Sequence, residues 1–198
     1  MNLEKLFQMQ KELDARILAE HPIQEGENRL AKKILALQVE LGELANCWRG
    51  FKYWSNDQKP RTEELGECPL CKGTGDLGTV WAENCIECGG SGKVVVKNPL
   101  LEEYVDCLHF ILSIGLELDF AKFIKDIEPI KNKNITEQFI FIFTKVGTLL
   151  TYQGLANYIH IIQNFIGLGE MLGFTWEEVE EAYFQKNVEN HARQERGY

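Results

Sequence analysis

Two pairs of acidic residues lie on segments of this sequence whose apolar residues have helical spacing. Glu40 and Glu43 occur in LQVELGELANCWRG, and Glu103 and Asp106 occur in EEYVDCLHFILSIG. Residues three apart project from the same face of a helix, so each pair brings two like charges together. The flanking leucines, valines and aromatic residues predict a low-polarity environment, in which an unpaired carboxylate is costly.

Divalent cations are the best explanation for four carboxylates that face one another across two helices. Mg²⁺ and Mn²⁺ prefer oxygen ligands, and Mg²⁺ often binds phosphate groups while keeping some of its water. We therefore predict that Glu40, Glu43, Glu103 and Asp106 bind Mg²⁺ or Mn²⁺ and support attack of water on a phosphoanhydride. Glu43 is the candidate general base. One E-x-x-E pair alone favours a solvated helix surface, and the second pair, on an almost wholly apolar helix, favours the metal site.

Four of the six cysteines form a second pattern of metal ligands. The segments CPLCKGTG and CIECGGSG each contain a C-x-x-C turn followed by glycines. Two such turns supply four thiolates to one tetrahedral ion and leave no open coordination position, which predicts a structural zinc site. The predicted ligands are Cys68, Cys71, Cys85 and Cys88. The alternative is a glycine-rich loop with incidental cysteines. Cys47 and Cys107 are interpreted as small buried side chains of helices.

Helices are the elements that must position these residues. Apolar periodicity predicts helices at about residues 3–17, 34–44, 99–118, 136–153, 156–172 and 176–193. Asn98 before Pro99, and Thr175 three residues before Glu178, are signals for helix starts. The run FIFIF at residues 139–143 has strand-forming residues, but its neighbours favour a buried helix.

The fold class that follows is all-α. We predict an antiparallel helical bundle formed by residues 1–58 and 98–198. Residues 59–97, where glycines and four cysteines are concentrated, are predicted to be an inserted zinc-ribbon-like subdomain.

Composition excludes several classes of function. The formal charge of −9 and the isoelectric point near 5.0 provide no basic surface for long DNA or RNA. No apolar run reaches the ~18 residues that span a membrane, and the first residues do not form a secretory signal. We expect a soluble cytoplasmic protein with reduced cysteines and no membrane partner.

The E-x-x-E and E-x-x-D pairs resemble those of the MazG-like superfamily of nucleoside triphosphate pyrophosphatases. The chain is most similar to the dimeric all-α dUTPase branch. Gln10 in QMQKELD, the aromatic cluster FKYW at residues 51–54 and the C-terminal segment KNVENHARQERGY match that pattern. The resemblance covers nearly the whole chain except the cysteine-containing insertion.

This resemblance implies an enzyme that hydrolyses dUTP to dUMP and pyrophosphate as a homodimer, with Mg²⁺ on the four acids and attack at the β-phosphorus. It also implies that phosphates contact the C-terminal segment and that two earlier residues hold the nucleoside. The implied phosphate contacts are Lys186, Asn190 and Arg193, with Tyr198 nearby. The implied nucleoside contacts are Gln10 and Trp54. Spacing agrees for the first three, which share one helical face.

Base selectivity stays open in the sequence. Asp14 stands where the dUTPase pattern often has asparagine, and a carboxylate can accept from uracil N3–H or from the cytosine amine. Hydrolysis of dCTP or of damaged nucleotides is therefore the nearest alternative. A non-catalytic, zinc-stabilised interaction module is the alternative of another class, and a DNA-binding zinc protein fits the acidic charge poorly. His109 is interpreted as a satisfied core residue.

Overall fold

The protein was analysed as a computed structural model that describes residues 2–77 and 84–197. The described residues form six α-helices, a short 3-10 helix and one two-stranded sheet, which confirms the all-α prediction. The elements are α1 (Leu3–Glu20), α2 (Arg29–Trp48), β1 (Glu64–Glu67), β2 (Lys93–Lys97), α3 (Pro99–Glu117), α4 (Ile135–Thr148), α5 (Leu155–Leu172) and α6 (Trp176–Glu195), with the 3-10 turn at Ala121–Phe123. None of the helices in this part of the chain is both long enough and apolar enough to cross a bilayer.

Asparagine side chains begin four of the helices. Asn2, Asn28, Asn98 and Asn134 each accept a hydrogen bond from a backbone N–H of the first helical turn. These bonds satisfy N–H groups that have no partner within the helix. Thr175 begins α6 with the predicted capping box. The local start signals in the sequence therefore act as expected.

Helix α3 is the centre of the bundle. It packs against α1, α2, α5 and α6, while α4 pairs with α5 and also contacts α2. Leu37, Leu41 and Leu44 of α2 are fully buried, and so is Leu112 of α3. This apolar seam between α2 and α3 fixes the rotation of both helices, and it thereby sets where their acidic residues point.

Helix α4 is shorter than predicted. The FIFIF run is helical as expected, but the helix ends at Thr148 rather than near residue 153. The hydroxyl of Thr148 donates to the Lys145 carbonyl at 2.9 Å, and that of Thr151 donates to the Thr148 carbonyl at 3.2 Å. Such side-chain bonds compete with the helical ladder and favour turns. Gly154 then begins α5.

The two strands form the stem of a hairpin between α2 and α3. They pair antiparallel, with Leu65 opposite Val95. The stem starts beside Arg61, whose N–H donates to the Cys47 carbonyl and whose carbonyl accepts from Leu100 N–H, both at 2.9 Å. The base of the hairpin is thus tied to the end of α2 and to the start of α3. The inserted subdomain at residues 59–97 stays a prediction.

Candidate metal and nucleotide site

Three of the four predicted metal ligands lie together. Carboxylate oxygens of Glu40, Glu43 and Glu103 are within 4.8 Å of one another. The first two project from one face of α2, and the third projects from α3 across the packed seam. Opposite oxygens around an octahedral Mg²⁺ are ~4.2 Å apart, so the cluster has the dimensions of a divalent-cation site. Asp106 lies outside this group of three and contacts Lys186.

Burial and mutual repulsion make this cluster unstable as bare carboxylates. Burial, together with the negative charges of Asp106 and Glu43, raises the pKa of Glu40 to about 7. The pKa of Glu103 rises to about 7 for the same two reasons. Burial also raises the pKa of Asp106, against the opposing effect of Lys186. A cation at the cluster would displace the protons that these acids otherwise retain.

Lys186 of α6 lies against the acids. Its ammonium group is 2.7 Å from Asp106 Oδ2 and 3.1 Å from Glu102 Oε1, and its side chain is only 10% exposed. The sequence predicted a phosphate contact for this lysine, and the structure places it between two carboxylates. Sequence reasoning missed Glu102. The signal was available, since Glu102 directly precedes Glu103 in the first turn of α3.

A cavity of about 640 Å³ adjoins the acidic cluster. Residues from α1, α2, α3 and α6 line it, and Glu40 and Asp106 form part of its wall. The volume lies within the range of pockets that bind small molecules and cofactors. Asn190 and Arg193, two of the predicted phosphate contacts, also face this cavity. Arg193 is within 3.0 Å of Glu189 one turn earlier.

Asp14 organises the part of the cavity wall that α1 contributes. Its Oδ1 accepts from Gln10 Nε2 at 2.7 Å, and its Oδ2 accepts from Ser113 Oγ at 2.6 Å and Lys33 Nζ at 3.4 Å. An ionised carboxylate only accepts hydrogen bonds, so the amide nitrogen of Gln10 must face Asp14. Gln10 is consequently held in one orientation, with its oxygen directed away from Asp14. The contributions of Lys33 and Ser113 were not foreseen from the sequence.

His109 presents an unfilled hydrogen-bond acceptor. Its Nδ1 is 2.8 Å from Gln10 Oε1, which also accepts from the Tyr183 hydroxyl. Because an amide oxygen cannot donate, Nδ1 carries the proton and Nε2 has a free lone pair. Burial lowers the pKa of His109 to about 3, so the ring is neutral. Among the described residues, Nε2 is buried and has no partner. The interpretation of a satisfied core histidine is right for one nitrogen only.

Among the described residues, two predicted substrate contacts, Trp54 and Lys186, do not line the cavity. Trp54 follows α2 in a cluster with Phe51 and Tyr53, and it is 65% exposed. It does not line the cavity. Tyr198 lies outside the described residues.

The four cysteines of the hairpin form a second cluster. Their sulfur atoms lie within 4.8 Å of one another, and the pairs Cys68–Cys85 and Cys71–Cys88 are each 3.7 Å apart. A zinc tetrahedron with ~2.3 Å bonds has edges of ~3.8 Å, so the arrangement fits that ion. The N–H of Gly75 donates to the Cys71 sulfur at 3.3 Å. Cys107, outside this set, is fully buried in the helical core.

The fold and the two clusters define an all-α protein with a carboxylate site beside a ligand-sized cavity. A family model described as dUTPase matches residues 2–67 and 92–198, and the chain belongs to this family. Membership supports a hydrolase that acts on nucleotide phosphoanhydrides. The match stops directly before the four cysteines and resumes directly after them. No curated protein matches the chain.

Replacement of Glu103 by Gln is expected to raise the Tm of the metal-free protein at pH 8. The folded-state pKa of about 7 lies above the ordinary value of 4.5, so the folded protein binds more protons. Its stability must therefore fall as pH rises from about 4.5 to 7, and Glu103→Gln removes this loss. Calorimetry in Mg²⁺-free buffer should show a gain of about 2–4 °C at pH 8, the effect of ~1 kcal/mol in a chain of this size, and little gain at pH 5.

Addition of Mg²⁺ should then stabilise the wild type more than the variant. Glu128→Gln, which removes an exposed acid far along the chain from the cluster, should leave the Tm unchanged at both pH values. Equal Tm differences between Glu103→Gln and wild type at pH 5 and pH 8 would contradict the assigned electrostatics.

Proposed function

We propose that the protein is a Mg²⁺-dependent nucleoside triphosphate diphosphohydrolase that converts dUTP and water to dUMP and pyrophosphate. The observation that carries this proposal is the cluster of Glu40, Glu43 and Glu103 next to a cavity of about 640 Å³, whose wall includes Glu40 and Asp106. Membership of the dUTPase family supports the choice of substrate. We place the enzyme in the cytoplasm, where its thiols remain reduced.

The four acids are proposed to hold Mg²⁺ or Mn²⁺. Glu40, Glu43 and Glu103 already lie at the spacing that such an ion requires, and Asp106 adjoins the same cavity. When bound, the ions lower the pKa of a coordinated water and neutralise charge on the pyrophosphate. Glu43 is the exposed member of the cluster. Its access to water supports its proposed role as the base that takes the proton of the attacking water.

Helix α6 is proposed to bind the phosphates. Asn190 and Arg193 supply an amide and a guanidinium group at the cavity wall. Lys186 lies one turn before Asn190 and contacts Asp106. Its ammonium group is proposed to contact the triphosphate next to the carboxylates that hold the metal. Cationic donors of this kind form strong hydrogen bonds with phosphate oxygens. Tyr198 is proposed to lie near the same phosphates.

Gln10, Asp14 and His109 are proposed to recognise the nucleoside. The buried lone pair of His109 Nε2 requires a donor, and N3–H of uracil is one. N3 of cytosine is an acceptor and would face this lone pair without a hydrogen bond. This lone pair supports the proposal of dUTP as the substrate over dCTP, the second candidate. Trp54 is proposed to contact the base when substrate is bound, since much of its ring remains exposed.

We also propose that the enzyme is a homodimer. Leu35 and Val39 lie four residues apart on α2 and are 62% and 50% exposed. They form an apolar surface on the helix that carries Glu40 and Glu43, and such surfaces favour association. Light scattering should give twice the chain mass of 22.8 kDa, and a single chain mass at micromolar concentration would contradict this proposal.

The cysteine cluster is proposed to bind one structural Zn²⁺. Sulfur separations of 3.7 Å and glycine N–H groups directed at Cys71 and Cys88 support four thiolate ligands. The ligand set is saturated, so this ion takes no part in hydrolysis.

The substrate proposal is tested by pyrophosphate release from dUTP, dCTP, dTTP and dATP, with and without Mg²⁺. We expect dUTP to have the highest kcat/KM and Mg²⁺ to be required. Glu43→Gln should lower kcat at least 100-fold, the usual contribution of a general base, with an unchanged circular dichroism spectrum. Glu12→Gln, an exposed acid on α1, is the matched control. A non-catalytic interaction module predicts no turnover of any triphosphate and no effect of Glu43→Gln.

The zinc proposal predicts one zinc per chain by mass spectrometry of the purified protein. Cys85→Ser should abolish stoichiometric zinc, because the replaced sulfur is fully buried within the cluster. Cys47→Ser should retain it, since Cys47 lies outside the cluster. Full zinc occupancy in Cys85→Ser would exclude the assigned ligand set.

A further inference from the structure

Glu102 lies between two lysines that come from different parts of the fold. Its Oε2 pairs with Lys97, the last residue of β2, and its Oε1 is 3.1 Å from Lys186 of α6. Lys186 in turn is 2.7 Å from Asp106. The four residues form one row of alternating charges, which we name the Lys97–Asp106 relay. It leads from the base of the cysteine hairpin to the candidate metal site.

The two inner members of the relay, Lys186 and Asp106, are more buried than the two outer members, Lys97 and Glu102. The exposed fraction of the side chain is 46% for Lys97, 24% for Glu102, 10% for Lys186 and 19% for Asp106. Ion pairs strengthen as solvent screening decreases. The contacts of Lys186 with Glu102 and Asp106 are therefore expected to be stronger than the contact of Lys97 with Glu102. The helix dipole explains an acid in the first turn of α3. It does not explain why each oxygen of Glu102 has its own lysine.

The backbone connects Lys97 directly to the helix that carries Glu102 and Asp106. Strand β2 leads directly into α3, because Asn98 caps the helix immediately after Lys97. Arg61 fastens the same junction to Cys47 at the end of α2 and to Leu100 of α3. The hairpin base is consequently attached to both helices that carry the acidic cluster.

We propose that Glu102 is a positioning residue that attracts Lys186 away from Asp106. Lys97 of the hairpin weakens this attraction, because it pairs with the same carboxylate. The inference rests on the proposed function, since it assigns Asp106 to the metal site. Lys186 competes with a divalent cation for Asp106. Glu102 therefore favours metal binding, and Lys97, which occupies one oxygen of Glu102, opposes it. Lys97, at the base of the cysteine hairpin, thereby affects how strongly the site binds a divalent cation.

Substitutions at the two ends of this route have opposite expected effects. Glu102→Gln leaves Lys186 on Asp106, and it should raise the Kd for Mn²⁺ three- to tenfold. Lys97→Met frees Glu102 to hold Lys186, and it should lower that Kd two- to fivefold, the range for a half-exposed pair. Electron paramagnetic resonance of free Mn²⁺ measures these values without turnover. Lys93→Met is the control, since Lys93 is an exposed lysine at the other end of the same strand and has no ion pair in the described part of the chain.

The double variant separates the relay from general electrostatics. Once Glu102→Gln is present, Lys97→Met should change the Kd less than twofold, because its effect passes through Glu102. Additive effects, or a weaker Mn²⁺ affinity in Lys97→Met alone, would overturn the proposal. Thermal melts confirm that each variant is folded.

Failure of the relay and failure of the proposed function give different results. Non-additive Mn²⁺ affinities in a protein that cleaves no triphosphate would support the relay and contradict the function. Additive affinities in an active dUTP hydrolase would contradict the relay alone.

Discussion

Repulsion among partly buried carboxylates is the constraint on which the site depends. Glu40, Glu43 and Glu103 are brought within 4.8 Å by helices whose apolar seam cannot rotate without exposing the core. Burial and proximity raise the pKa of Glu40 and of Glu103 to about 7. Packing energy thus holds together charges that would separate on a flexible chain. A divalent cation would convert this unfavourable arrangement into a binding site, because the same oxygens would be its ligands.

Two basic side chains of α6, Lys186 and Arg193, lie near these acids or along the adjoining cavity. Lys186 is nearly buried and contacts Asp106, the acid that lies outside the group of three. Asn190 and Arg193 extend the same helix face along the cavity, where a triphosphate would carry negative charge. On the other side, Asp14 fixes Gln10, and Gln10 fixes the tautomer of His109. The cavity therefore has acidic, cationic and neutral acceptor groups in its wall, which the proposed function assigns to metal, phosphates and base.

Local features of the site were predictable from the sequence, and long-range pairings were not. Asn98 and Thr175 begin helices as their local signals require, and the three-residue spacing of the acids places each pair on one helix face. Lys186 and Asp106 are 80 positions apart, and Gln10 and His109 are 99 apart. Partners at such separations depend on how helices pack, which periodicity does not specify. The overestimated length of α4 has another cause, since threonine hydroxyls at its end compete with backbone bonds.

The most direct test of the central claim is anomalous diffraction from crystals grown with Mn²⁺ and a non-hydrolysable dUTP analogue. The account predicts a manganese peak ~2.2 Å from oxygens of Glu40, Glu43 and Glu103, with the analogue in the adjoining cavity. Carboxylates that turn away from one another, with no manganese between them at saturating concentration, would contradict it.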